Sequence, residues 1–294
     1  MKRVSHTSLV RVLVAVLLAL AGAAGVVAQQ MPQPLIVFTD YTIKPGREAD
    51  FMDLVNKIGA PVRDQLMKEG VILAWGVDVP INRGAFGGTT HTVWYAVADW
   101  ASMEKVHAAM GAQIQKLSAD EAKAAQDPKA KGKVPGPSVM QRLGEISDVS
   151  QLRDWYTRSI VFATSGGPMT AGMQLFTRYG FVQAKPGKGA DYRAAWEKYN
   201  KPVYEKLLKD GVIAAYGLSV EELKSTNDFT HFSWVATTNL AAADKVRVAF
   251  IADRDKRSAE EREAINATFA AAIDGAASRG LLVRSLIFRE ASMK

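Results

Sequence analysis

Thr90-His91-Thr92-Val93-Trp94 is met again 140 residues later as Thr230-His231-Phe232-Ser233-Trp234. Around this pair the chain matches itself in both directions. Lys44-Pro45-Gly46 returns as Lys185-Pro186-Gly187, Pro61 as Pro202, Gly70-Val71-Ile72 as Gly211-Val212-Ile213, and Trp75-Gly76 as Tyr216-Gly217. Ser118-Ala119-Asp120-Glu121 is paired with Ser258-Ala259-Glu260-Glu261, and Arg158-Ser159-Ile160-Val161-Phe162 with Arg284-Ser285-Leu286-Ile287-Phe288. The offset drops from 140 to 126 between those last two matches, so the first copy carries extra residues. The Pro- and Gly-rich stretch 127–140 is assigned as that insert. Self-similarity decides a fold before local propensity does. Two units of ~130 residues are domain-sized, too long for a solenoid period. We place them at 34–165 and 172–294.

One copy reads as follows. Leu35 to Ile43 is β-branched and aromatic, and Lys44-Pro45-Gly46 ends it with turn chemistry. Phe51, Leu54, Val55, Ile58, Val62 and Leu66 keep helical spacing, and Pro61 inside them predicts a kink. Gly70 stops that helix. Val71–Val79 and His91–Ala98 are predicted strands, divided by a Gly-rich loop. Met103, Val106, His107, Met110, Ile114 and Leu117 mark a second helix, and Ser118 with Glu121 has capping-box spacing for a further segment. Trp155–Ala163 is a fourth strand. Copy two follows the same order, with helical sequence to Ala276, a break near Arg257-Ser258, and a last strand Leu281–Arg289. The order β-α-β-β-α-β is the ferredoxin-like arrangement, an α+β fold.

Such a unit covers one face of its sheet with helices and leaves the other bare. Two units in one chain can pack bare face on bare face. The stretch Tyr41-Thr42-Ile43-Lys44-Pro45-Gly46-Arg47-Glu48-Ala49-Asp50-Phe51, repeated more loosely from Phe181 to Tyr192, resembles the strand-KPG-helix opening of the dimeric α+β barrel superfamily, including NIPSNAP-like and antibiotic-biosynthesis-monooxygenase-like members. The resemblance spans both copies. It implies a pseudo-dimeric barrel closed within one chain, and it carries over no catalytic residue.

Lys2, Arg3 and Arg11 precede an uncharged, Leu-, Val- and Ala-rich run from Val12 to Val27, and Val26-Val27-Ala28 offers small residues for cleavage. This is the pattern of a signal peptide over residues 1–28, and it predicts export to the periplasm or the extracellular space. The run of 16 residues is short for a membrane span, which needs ~20. After cleavage no membrane association is expected. The chain has no Cys, which excludes disulfides, thiolate metal sites and a cysteine nucleophile. Losing Lys2, Arg3 and Arg11 takes the formal charge from +7 to +4. With no basic block interleaved with aromatics, nucleic acid is not an expected partner. A barrel closed in one chain predicts a monomer, and pairing of exposed strand edges leaves a homodimer open.

Period 2 divides the third strand of each copy into a His face and a Trp face. His91, Val93, Tyr95 and Val97 share one side, and His231, Ser233, Val235 and Thr237 the matching one. The Trp face is wholly apolar in copy two, so it is assigned to the helix-packed core and the His face to the space between the sheets. On that reading His91 and His231 line one cavity as candidate acid–base groups. The alternative is a strand-end structural role. Trp75 and Tyr216, each followed by Gly, could form flat ligand walls or belong to the core. Tyr95, Ser233, Asp40 and Arg178 complete the candidate binding set, because a buried Asp or Arg wants a partner.

Two strand histidines without clustered carboxylates make a weak metal set, so no metal is expected. Haem enzymes of the superfamily place a ligand His on a helix of the C-terminal half. The helical His here is His107, its counterpart is Arg247, and Ala271-Ala272-Ile273-Asp274-Gly275 lacks the first Gly of the peroxidase GxxDG motif. No cofactor is expected. Three functions follow: binding of a small, largely apolar molecule between the sheets, a cofactor-independent oxygenase or isomerase, or a protein-interaction module with a filled barrel.

Overall fold

A computed structural model describes residues 33–82, 87–126, 137–165, 174–223 and 229–291. The expected signal segment and residues 127–136 of the expected insert lie outside these. Strand β1 (Leu35–Tyr41) leads to helices α1 (Glu48–Leu54) and α2 (Ala60–Lys68), strands β2 (Ile72–Pro80) and β3 (His91–Val97), helices α3 (Trp100–Gln126) and α4 (Val139–Ile146), and strand β4 (Arg153–Thr164). The order then recurs with β5 (Phe176–Ala184), α5 (Gly189–Tyr199), α6 (Lys201–Lys209), β6 (Ala215–Glu221), β7 (His231–Thr237), α7 (Leu240–Asp255), α8 (Ala259–Ala272) and β8 (Ile273–Glu290).

The strands close into one antiparallel barrel, β1-β3-β2-β8-β5-β7-β6-β4. Each half contributes four neighbours, β4-β1-β3-β2 and β8-β5-β7-β6. The halves join where β2 pairs β8 and where β4 pairs β6. Both joints carry an irregularity at matching places, between Val77 and Asp78 in one and between Ser159 and Val161 in the other. A bulge sharpens twist and bends a strand, which helps a sheet turn the corner into a barrel. Among the described residues, closure leaves no strand edge unpaired.

The Lys-Pro-Gly turns do the same work in both halves. Gly46 at φ +80° and Gly187 at φ +75° occupy the left-handed region that a side chain disfavours. Lys44 N donates to Ile146 O at 2.9 Å and Lys185 N to Ala272 O at 2.9 Å. The ammonium groups reach the same helix ends, Lys44 Nζ to Gly144 O at 2.8 Å and Lys185 Nζ to Ala270 O at 2.6 Å. A cation there meets the negative end of a helix. Each proline also behaves as its chemistry requires. Pro61 follows a π turn, Val55–Gly59, and Pro202 follows the break at Asn200 between α5 and α6.

Several boundaries differ from the sequence reading. Ser118 starts no new helix but lies inside the continuous α3. The capping box of the first half is Ser138 with Gln141, opening α4, and its counterpart is Ser258 with Glu261, opening α8. The match of Ser118 to Ser258 was thus one of spacing only. Part of the expected insert, from Val139, is therefore helix. In the second half the helix ends at Ala272, not Ala276, and β8 begins at Ile273. Asp274 Oδ1 accepts from Ala276 N at 3.0 Å, an Asx turn that carries the chain out of register before it rejoins β5.

The facing of the strands is the reverse of that expected. Ile36, Phe38, Ala96, Trp155, Tyr179, Phe181 and Phe232 form one buried cluster, with Trp94 and Trp234 packed on it. These side chains fill the barrel. Phe38 stacks on Trp155 at 3.7 Å between centroids, and Phe232 meets Trp155 edge-on at 5.3 Å. The His face packs instead on the helices, since Val93, Tyr95 and Val97 belong to the cluster of Phe51, Val55 and Leu66. An apolar Trp face did not mark the helix side because the closed barrel buries both faces of every strand.

Candidate functional site

His91 and His231 do not line one cavity. Each closes the end of its own half. Thr90 Oγ1 accepts from Ile43 N at 2.8 Å, donates to Tyr41 O at 3.1 Å, and lies 3.1 Å from His91 Nδ1. Thr230 Oγ1 repeats all three contacts, with Ala184 N, Val182 O and His231 Nδ1. The rings then pack on α1 and α5, His91 on Phe51 at 5.0 Å and His231 on Tyr192 at 4.9 Å. Burial lowers the pKa of both to about 4, opposed at His91 by Glu48 and reinforced at His231 by Arg193. At neutral pH both rings are uncharged. Both rings sit at strand ends against a helix.

The other candidates scatter by the same alternation. Trp75 is fully buried on the helix side, and its Nε1 donates to Asp64 Oδ1 at 3.0 Å. The guanidinium of Arg63 lies 5.6 Å from its ring and that of Arg289 5.9 Å. Tyr95 is also on the helix side, its Oη 3.1 Å from His107 Nε2. Asp40 points into the barrel. It accepts from Thr92 Oγ1 at 2.7 Å and Trp155 Nε1 at 3.1 Å, with Arg153 Nη2 at 3.2 Å. Burial raises its pKa and these donors hold it back.

Arg178 and Ser233 do come together. They line a cleft of about 430 Å³ between the outer face of β5 and β7 and helices α6 and α7. Asn200, Tyr204, Val246 and Phe250 complete its sides, and Arg247 and Arg254 stand along α7. A second cleft of about 330 Å³ continues on the other side of α7 and shares Arg178, Val235, Val246 and Arg247. Both volumes fall in the range of small-molecule sites, roughly 300–1,000 Å³. Tyr216 is one layer behind, stacked on Tyr204 at 5.3 Å with its pKa pushed up to about 12, first by burial. Burial also raises the pKa of Tyr204, and the nearby Arg178 charge opposes that rise. Ser233 Oγ donates to Gly180 O at 3.4 Å.

Sequence reasoning missed Tyr204, Arg247 and Arg254. A signal was present. Ala243, Val246, Arg247, Phe250 and Arg254 keep the spacing of Met103, Val106, His107, Met110 and Ile114 in the first half. An amphipathic helix should be apolar on that stripe. Two arginines interrupt it in the second half, one of them where the first half has Ile114.

No family model matches the chain, and no curated protein does. Solved structures do. A candidate monooxygenase of Fusobacterium nucleatum subsp. nucleatum aligns with a TM-score of 0.55 at 11% identity, over 88% of this chain and 95% of its own. A candidate monooxygenase of Lactobacillus acidophilus aligns at 0.52 and 9% identity, over 88% and 97%. An anthrone oxidase-like protein aligns at 0.50 and 14% identity, over 90% and 95%. Identities this low speak to fold alone. In fold the chain is similar to these proteins, a closed α+β barrel whose described strands all come from one polypeptide.

Proposed function

We propose that the protein binds a small, largely apolar molecule in the cleft between α7 and the outer face of β5 and β7. The observation that carries this is an open space of about 430 Å³ in the second half, lined by α6, α7 and the outer face of β5 and β7. The space between the sheets, considered first, is filled by aromatic side chains. The chain is read as a tandem repeat of ferredoxin-like units over 34–165 and 172–294, exported after removal of residues 1–28. N-terminal sequencing of the protein from its own compartment should start at Gln29. Native mass spectrometry and an absorption spectrum of the same material test binding. A co-purifying mass lost on Val246→Trp, which fills the cleft, supports the site. A bound mass that persists in that variant places it elsewhere.

A cofactor-independent oxygenase is the second reading, favoured by the fold shared with two candidate monooxygenases. The cleft would supply Tyr204 and Arg178 to such a reaction. Neither His91 nor His231 is among the residues lining this cleft. Turnover that survives His231→Gln and is lost in Tyr204→Phe would support it.

A further inference from the structure

The two halves act as each other's control. At matching positions the first half has Val37 where the second has Arg178, His107 where it has Arg247, and Ile114 where it has Arg254. The first-half stripe is packed: Val106 is buried, and Met103 and Met110 sit against its core. In the second half Val246 is likewise buried and Phe250 packs on its cluster, but guanidinium groups stand around the same layer and a cleft opens beside it. Their commitments differ. Arg247 pairs with Asp244 at 3.0 Å and Arg254 with Asp255 at 3.1 Å, both one-turn or adjacent surface pairs. The side chain of Arg178 has no hydrogen bond or ion pair among the described residues, and it borders both clefts. It is the third residue of β5 and is exposed, not buried as the sequence reading expected, with aliphatic Val235 as strand partner and Tyr204 beside it in the cleft. A planar fork of donors on a rigid strand, with its charge uncommitted, is the arrangement that takes a planar oxyanion in a bidentate manner.

The rest of the cleft is mixed, with Asn200, Ser233, Arg247 and Arg254 beside apolar side chains. Val235, Val246, Phe250 and Ile251 offer it aliphatic and aromatic surface. A fully hydrated inorganic anion gains nothing from such walls, whereas an amphipathic acid buries its body there.

We infer that the cleft recognises an amphipathic carboxylate, with the carboxylate held by Arg178 and an apolar body of about one or two rings lying along α7 between Tyr204 and Phe250. This rests on the cleft being the binding site, and the test separates the two ideas. Binding of 2-naphthoate and of its neutral isostere 2-naphthamide to the full chain is measured by calorimetry, for wild type, Arg178→Gln, Arg178→Lys and Phe250→Ala. The expected result is tighter binding of the acid, on the order of tenfold, the size of one charge-assisted hydrogen bond. Arg178→Gln should erase that preference and leave the amide unchanged. Arg178→Lys should keep part of it, since charge survives and the fork does not. Phe250→Ala should weaken acid and amide alike. Equal binding of acid and amide by wild type, or a preference untouched by Arg178→Gln, would overturn the carboxylate assignment and leave the cleft standing. Failure of both probes to bind would overturn the cleft reading with it. Inorganic phosphate competing as well as naphthoate would overturn the apolar half of the assignment.

Discussion

Inside the barrel, Tyr179 Oη donates to Asp78 Oδ2 at 2.5 Å, joining the two halves across 101 residues of sequence. Ser285 Oγ donates to the other oxygen of Asp78 at 2.7 Å. The matching place in the second half has Ser219 for Asp78, Ser159 for Ser285 and Phe38 for Tyr179. Ser219 Oγ is buried there without a partner. The buried tie at Asp78 thus has no counterpart at Ser219, while at the other joint Arg158 of β4 pairs with Glu222 of the second half at 2.7 Å.

Removing the carboxylate should leave two buried hydroxyls unpaired. Asp78→Ala is expected to cost at least about 1–3 kcal/mol in urea unfolding, with a coupling to Tyr179→Phe in a double-mutant cycle. Burial raises the pKa of Asp78, so its proton is held more tightly folded than unfolded. Its contribution is present at low pH and lost as the pH climbs through the folded value. The advantage of wild type over Asp78→Asn should therefore shrink as pH rises from about 4.

The two histidines have the opposite sign. Each folded pKa is about 4, below the ordinary 6.5, so the unfolded chain binds more protons between these values. Stability should fall as the pH drops from 6.5 to 4, by on the order of 2 kcal/mol for each ring. The slope of unfolding free energy against pH in that window should flatten in His91→Gln and again in the double variant with His231→Gln. An unchanged slope would contradict the buried, neutral assignment.

Gly217 and Gly76 make room for the barrel tryptophans. A Cβ at Gly217 would lie 2.6 Å from Trp234 Cε2, and one at Gly76 2.9 Å from Trp94 Cε2 and 2.7 Å from Ile287 O. Alanine at either position should destabilise the fold by about 1–3 kcal/mol, because a packed aromatic must move. Near-ultraviolet circular dichroism should report the displaced indole. Gly46→Ala and Gly187→Ala meet no neighbour and should cost only their backbone strain, about 1–2 kcal/mol each.

Ligand protection should be confined to the second half. If the cleft binds, hydrogen exchange on saturation with 2-naphthoate should slow at α7 and β7 and leave α3 and β3 unchanged. Protection at both helices would place a second site in the first half.

The repeated segments carried most of the fold by themselves. Element order, the Lys-Pro-Gly turns and the helix interruptions before Pro61 and Pro202 follow from local chemistry, which is why spacing and turn residues sufficed to read them. The alternation of His91 and Trp94 on opposite faces was equally local. Which face looks inward was not, because a barrel strand buries both faces and polarity no longer labels them. Only closure, with β2 on β8 and β4 on β6, sent the tryptophans inside and the histidines under the helices. The cleft was decided at the same level. Arg178, Tyr204 and Arg247 are distant in sequence, and only the packing of α6 and α7 beside β5 and β7 brings them to one space.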